Sequence, residues 1–365
     1  MKIGMVSKFP EQEDGIAIYS ESLCEELENA GVRVVKIGDP ESSSADYRID
    51  FKSWSLKSQL RKIAESEKLD LLHVQYIAAY FSKYTLNLNL ILALNQKVPV
   101  VITFHEVHTA ASTLREKILS FIQTVIAKKA DAVVAHTRQQ KEFLQMKYSK
   151  KQAYCILHGL VLNPMHRLKD RNLLFFGMLN YGKGAEHLIR AMNELPGFKL
   201  TLAGKAITPQ YEAIVRAAAA ENKLGNVKLD IRWVPEDEKK RMLQEADVMV
   251  FPYVWAPYQS GTLHNAFSYG IPVVVTDVGA ISEVVKEYRC GRVVEQRSPK
   301  FIVAGIKAVL GNYETYQHGV AKYREAANWE MSAQKHAKMY NETLQGYYEI
   351  RGFPEKKKER EDFEL

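Results

Sequence analysis

The sequence predicts an α/β protein made of two parallel-sheet domains facing each other across a cleft. Short apolar, β-rich runs alternate with stretches of helical length. That alternation runs out after Leu162-Asn163-Pro164 and restarts at Asn172. A chain of 365 residues is also longer than one hydrophobic core usually serves.

In the first half, Ile3–Val6, Val32–Ile37, Leu71–Val74, Val98–Thr103 and Asp131–Ala135 read as strands. The first intervening helix is marked by Ile16, Tyr19, Leu23 and Leu27 at helical spacing, with Gly31 as its stop. Strands joined through helices must lie parallel, with right-handed crossovers and both sheet faces covered. In the second half Leu173–Phe176, Lys199–Ala203, Val227–Leu229, Asp247–Phe251 and Pro272–Thr276 repeat the pattern. Helices are expected over Ala185–Met192 and Leu263–Tyr269, the latter stopped by Gly270. The hinge falls near 163–171, which gives domains 1–165 and 166–328, and the charged segment 351–365 reads as a solvated tail.

Composition bounds the function. The chain is 46% hydrophobic with a net charge of +7, which suits a polyanionic or phosphorylated partner without choosing one. Basic residues are dispersed and show no aromatic-interleaved patch, so nucleic acid is not expected. Cys24, Cys155 and Cys290 form neither a disulfide framework nor a metal-ligand spacing, and a reducing, cytoplasmic setting is expected. No secretory leader or membrane-length apolar run is recognisable. The segment Thr113–Lys129 mixes a broad apolar face with Arg115, Lys117, Lys128 and Lys129. It is either a core-facing helix or a peripheral contact with the inner membrane face.

Ligands in open parallel sheets bind beyond the carboxyl ends of strands, so the loops there are the candidate site. Tyr258-Gln259-Ser260-Gly261-Thr262 opens a helix, and such an end offers backbone N–H groups and partial positive charge to an anion. The alternative is that Ser260 only caps a structural helix. Lys183 lies in the glycine-rich loop Gly177–Gly184, at a helix start where a cation opposes the dipole unless an anion binds there. It is otherwise a surface lysine. His105 follows the strand Val98–Thr103 and could donate to a sugar hydroxyl or a developing charge; His108 is an alternative, and a third metal ligand is not identifiable. Asp14 and Gly15 form the first β–α turn. His73, inside a strand, reads as a satisfied structural histidine.

In order along nearly the whole chain, these segments resemble glycosyltransferase family 4. The likeness runs through Lys2–Val6, Gly15, Asp70–Gln75, Val101–His105, Ala130–Thr137, Leu157-His158-Gly159, Phe176–Gly184, Leu202-Ala203-Gly204, Ala246-Asp247-Val248 and Pro252-Tyr253. Its most specific part is Ser260-Gly261 followed by Gly270–Gly279. The resemblance implies the GT-B fold, two Rossmann-like domains facing across a cleft, and metal-independent transfer with retention. The donor would be a nucleotide-diphosphate sugar, a co-substrate rather than a cofactor, and the acceptor a glycan or a lipid-linked molecule.

By the same likeness, residues 1–165 would bind acceptor and 166–328 donor, and helix 329–350 would return to the first domain. Lys183 and His105 would act on the reacting groups. Asp14, Gly15, Gly177, Tyr258, Gln259, Ser260, Gly261, Thr262, Asn265 and Glu283 would bind substrate. Two positions depart from the pattern. Met178-Leu179 stand where many members have arginine, and Pro257 and Asn265 stand where many have two glutamates. The Gln259-Ser260-Gly261 block resembles a subgroup that lacks that pair. A non-catalytic sugar-nucleotide or glycan-binding protein, and a sugar-nucleotide epimerase, remain alternatives on the same scaffold.

Overall fold

The structure is a computed structural model that describes residues 1–9, 14–82, 86–108, 113–147, 152–168, 170–256 and 260–351. It divides into two compact units, Met1–Ile156 with Ser332–Leu365, and Leu157–Met331.

The first unit is built on strands β1 (Lys2–Val6), β2 (Arg33–Gly38), β3 (Tyr47–Arg48), β4 (Leu71–Tyr76), β5 (Val100–Phe104), β6 (Ala132–Ala135) and β7 (Gln152–Cys155). All are parallel, in the order β3-β2-β1-β4-β5-β6-β7. The chain order reverses between β1 and β4, the place where such sheets open a crevice. Every residue of β4, β5 and β6 is buried, which is why they read as mainly apolar runs without alternation, interrupted only by His73, Gln75 and Thr103. The edges differ. β3 has two residues, and β7 buries only Ala153 of its four, so neither carries a recognisable apolar signal.

Helix Gly15–Asn29 covers this sheet through Ala17, Tyr19, Leu23, Cys24 and Leu27. Thr113, expected inside the next long helix, instead caps helix Leu114–Lys129 in a reciprocal pairing with Glu116. From Ser332 onward, helix Trp329–Ile350 packs on the same unit and buries Ala333, His336, Met339, Tyr340, Thr343 and Tyr347. The Tyr340 hydroxyl lies 2.7 Å from His73 Nδ1.

The second unit contains β8 (Asn172–Phe176), β9 (Lys199–Ala203), β10 (Val227–Asp230), β11 (Val248–Phe251), β12 (Val273–Thr276) and β13 (Gly291–Val294). They too are all parallel, ordered β10-β9-β8-β11-β12-β13, with the reversal between β8 and β11. The edge strand β13 escapes the sequence reading for the same reason as β7, since only its first residue is buried. Asp247, fully buried before β11, gathers the entering chain: it accepts from His166 Nε2 at 2.9 Å and from the Asp170 and Asn172 N–H groups at 3.0 and 2.8 Å. Each fully buried side chain of β11 contributes on the order of 1.5–3 kcal/mol by leaving water. No described helix is long and apolar enough to cross a membrane.

Candidate active site

In the second unit, the loops after β8 and β11 meet at the reversal point. Beyond β8 the chain enters Gly177, whose φ of 135° is open essentially to glycine alone. The neighbouring loop after β9 bends at Gly204 with φ 141°, and a Cβ there would lie 2.0 Å from the Gly177 carbonyl oxygen. Two loops therefore pack backbone against backbone. Asn180 then caps a short turn, Tyr181–Lys183, accepting the Gly182 N–H at 2.9 Å. The Gly182 carbonyl accepts from Val254 and Trp255 N–H at 2.9 and 3.2 Å, tying this turn to the loop after β11.

This tie sets Lys183 in place. Its side chain is buried, with Nζ 3.8 Å from the centre of the Tyr253 ring, inside the range of cation–π attraction. The Tyr253 hydroxyl in turn sits 3.0 Å from Ser260 Oγ and 3.3 Å from Thr262 Oγ1, and those two are 2.8 Å apart. A lysine and three clustered hydroxyls thus stand at the start of helix Gly261–Ser268. Three hydroxyls supply three donors, and two bonds suffice to link them in a chain, which leaves one donor for an incoming anion. Gly177 belongs to the group as well, since a Cβ there would come 3.3 Å from Thr262 Cγ2.

Ser260 has extended backbone and no capping bond from its side chain. Its hydroxyl turns to Tyr253 and Thr262 instead of to the N–H groups of the helix it precedes. Gly261 is the sharper observation. Its φ is not positive, and an added Cβ would meet nothing within 4 Å among the described residues. Neither its conformation nor its packing against those residues calls for glycine there.

Asn265 is half-buried on the same helix, one turn on, and Glu283 is half-buried on the separate helix Gly279–Tyr288. Tyr258 and Gln259 lie outside the described residues, as does Pro257. Tyr253 was visible only as part of a motif. Its role as hub depends on two loops meeting, which no local pattern announces.

In the first unit, Asp14 caps helix Gly15–Asn29, accepting the N–H groups of Ile16 and Ala17 at 2.9 and 3.3 Å, and receives the Tyr80 hydroxyl at 2.6 Å. Gly15 is exposed, and a Cβ on it would likewise meet nothing within 4 Å among the described residues. His105, just past β5, is buried with Nε2 2.8 Å from Gln75 Oε1. The Tyr19 ring meets it edge-on with centroids 4.9 Å apart, so His105 packs on the helix that Asp14 caps. Beside it, burial pushes the Glu106 carboxyl above the usual carboxylate range, a perturbation that composition and spacing could not reveal. His108 is held differently: its N–H donates to Gln123 Oε1 at 2.9 Å, and burial lowers its pKa. His73 is fully buried and bonded at both ring nitrogens, as a structural histidine should be. Among the described residues there is no group of three His, Cys, Asp or Glu that could hold a metal.

Comparison with known proteins matches both halves. Residues 14–161 fit the model described as Glycosyltransferase Family 4, and residues 164–326 that of Glycosyl transferases group 1. An uncharacterised glycosyltransferase of Methanocaldococcus jannaschii is 30% identical over 179 residues, 47% of this chain and 45% of the relative. The chain spans about half the length of the curated relatives it matches. Among solved structures, sucrose-phosphate synthase from Thermosynechococcus elongatus superposes with a TM-score of 0.72 at 18% identity, covering 94% of this chain and 99% of that one. The Anabaena protein HepE, crystallised with UDP-glucose, gives a TM-score of 0.68 at 14% identity over 95% of this chain and 100% of that one. At such identities the likeness is one of fold, and the fold is that of GT-B glycosyltransferases.

Proposed function

This chain belongs to the glycosyltransferases of GT-B, family 4 type, and on that footing we propose that it moves a hexose from a nucleotide-diphosphate sugar to a glycan or lipid-linked acceptor with retention and without a metal. The observation that carries the reading is the Lys183–Tyr253–Ser260–Thr262 cluster at a helix start whose first residue, Gly261, has no described residue within 4 Å of where a Cβ would go. Structural neighbours crystallised with UDP or UDP-glucose support a nucleotide donor.

In this reaction the bond between the sugar C1 and the β-phosphate oxygen breaks, and its electron pair leaves with the nucleoside diphosphate. The Lys183 ammonium and the helix N–H groups stabilise that growing negative charge, which is stronger in the transition state than in the bound donor. C1 passes through an oxocarbenium-like state. The acceptor oxygen attacks C1 from the face the diphosphate leaves, and its proton passes to the departing phosphate oxygen. His105 contacts the reacting sugar, and Gly15, Gly177, Tyr258, Gln259, Asn265 and Glu283 belong to the binding surface. The acceptor side carries an apolar groove lined by Leu86, Leu88, Ile91, Ile118, Phe121 and Val125. Arg115, Lys117, Lys128 and Lys129 are exposed on the helix that forms one wall, which fits an acceptor held at an anionic lipid surface.

The test is turnover of UDP-glucose, followed by UDP release and acceptor glycosylation. Lys183→Ala should lower kcat about a hundredfold or more, in the range set by losing one charge-stabilising donor. Chelation with EDTA should leave the wild-type rate unchanged. Full activity in Lys183→Ala removes the site assignment, and binding of UDP-glucose with no UDP release under any acceptor favours the binding-protein reading.

A further inference from the structure

Strand parity places five side chains on one face of the first unit's sheet. Side chains two apart on a strand share a face, so His73 goes with Gln75, and Thr103 with His105. The register pairs Met5 with His73 and Gln75 with Thr103, which joins the three strands into a single polar row. Gln75 is fully buried at its centre. One end of its amide meets His105 Nε2 at 2.8 Å; the other lies 3.2 Å from Met5 Sδ and 3.4 Å from His73 Nε2.

The amide has two possible orientations, and its surroundings choose between them. With the nitrogen toward His105, the carbonyl oxygen would face the Met5 thioether, which has no proton to give, and could accept only from a His73 that carried its proton on Nε2 and gave up accepting from Thr103. With the oxygen toward His105, every group finds a partner. His105 Nε2–H donates to Gln75 Oε1, and the Gln75 amide donates toward Met5 and His73. Thr103 Oγ1, 2.7 Å away, donates to His73 Nε2, whose other nitrogen donates to the Tyr340 hydroxyl at 2.7 Å. Burial holds the pKa of His73 well below its ordinary value, as this neutral assignment needs.

We propose that Gln75 is a positioning residue for His105. Its carbonyl fixes the ring in the Nε2–H form and sets its rotation, and His73, anchored by Thr103 and Tyr340, keeps Gln75 from turning over. The neutral ring then carries its lone pair at Nδ1, and any proton His105 gains is gained there. The inference rests on the reading of His105 as a group that contacts the reacting sugar. The row explains why the first unit spends three buried polar strand positions beneath that residue, where apolar side chains would pack as well.

Two measurements test it. Isotope-labelled histidine NMR on the full chain without ligand, with His105→Gln identifying the signal, follows His105 titration directly. Gln75→Glu replaces the carbonyl by a carboxylate at the same place and should raise the His105 pKa by about one unit or more, because an adjacent negative charge favours the imidazolium. Coincident titration curves in Gln75→Glu and wild type overturn the proposal. In turnover with UDP-glucose, Gln75→Leu should lower kcat about tenfold with little change in KM for donor, since a misplaced group loses alignment before binding. The double variant with His105→Ala should be no slower than His105→Ala alone, whereas additive losses assign Gln75 a general structural role. If His105→Ala itself is fully active, the reading of His105 fails while the titration still decides the role of Gln75.

Discussion

Two glycines at one site separate a structural demand from a functional one. Gly177 is held at a φ of 135° with Thr262 Cγ2 close to where a Cβ would go. Gly177→Ala should therefore lower stability by about 1–3 kcal/mol, measured by urea unfolding. Gly261 has neither constraint. Gly261→Ala should leave the unfolding midpoint unchanged or slightly raised, because alanine favours a helix, while affinity for UDP-glucose by calorimetry falls about tenfold as the added methyl keeps phosphate off the backbone. Unaltered affinity would detach the phosphate role from this helix start. The chemistry readable from sequence was of this local kind: a lysine among glycines, and serine then glycine before a helical run. Tyr253 and Gln75 escaped it because their roles depend on which loops and strands become neighbours. That is decided by sheet order, which sequence spacing does not encode.

Central strands announce themselves through mainly apolar runs because both of their faces are covered, whereas β3, β7 and β13 lie at edges, are short and carry no sustained apolar run. The helix Trp329–Ile350 illustrates a further consequence of burial. It carries His336, whose pKa burial depresses to about 3, and it packs on His73, held well below its usual value; His136 of the same unit is depressed to about 4. Such groups take up protons more readily when unfolded, near pH 6.5. Stability from their neutral form is thus present above pH 6.5 and lost as the pH falls toward 4. Each histidine contributes up to about 1.4 kcal/mol per pH unit. Glu106, raised by burial, opposes this just above its ordinary pKa of 4.5. Urea unfolding between pH 7 and 5 should show stability falling with acid. His336→Asn, which keeps a donor for the Ser332 carbonyl, should reduce that slope by about one proton. An unchanged slope would show that His336 is not a neutral buried group.

At the scale of the molecule, a net charge of +7 and an apolar groove on the first unit make one prediction together. Phe121 is 68% exposed and Leu114 75%, with exposed cations on the same helix. The chain should float with vesicles containing anionic lipid and sediment with neutral ones. Each lysine or arginine near the surface contributes about 1 kcal/mol, a term that salt weakens. Phe121→Asp should abolish flotation without changing the far-UV circular dichroism. Sedimentation of wild type with anionic vesicles at low salt would remove the lipid surface from the account.

The units also differ in how the chain composes them. The second is one unbroken stretch, Leu157–Met331, whereas the first takes residues from both sides of it. A ribosome therefore delivers everything the second unit requires while the first still lacks its last helix. Until that helix emerges, His73 has no tyrosine to hold and the sheet face beneath it stays wet. The first unit therefore completes its packing only after the whole of the second has been synthesised.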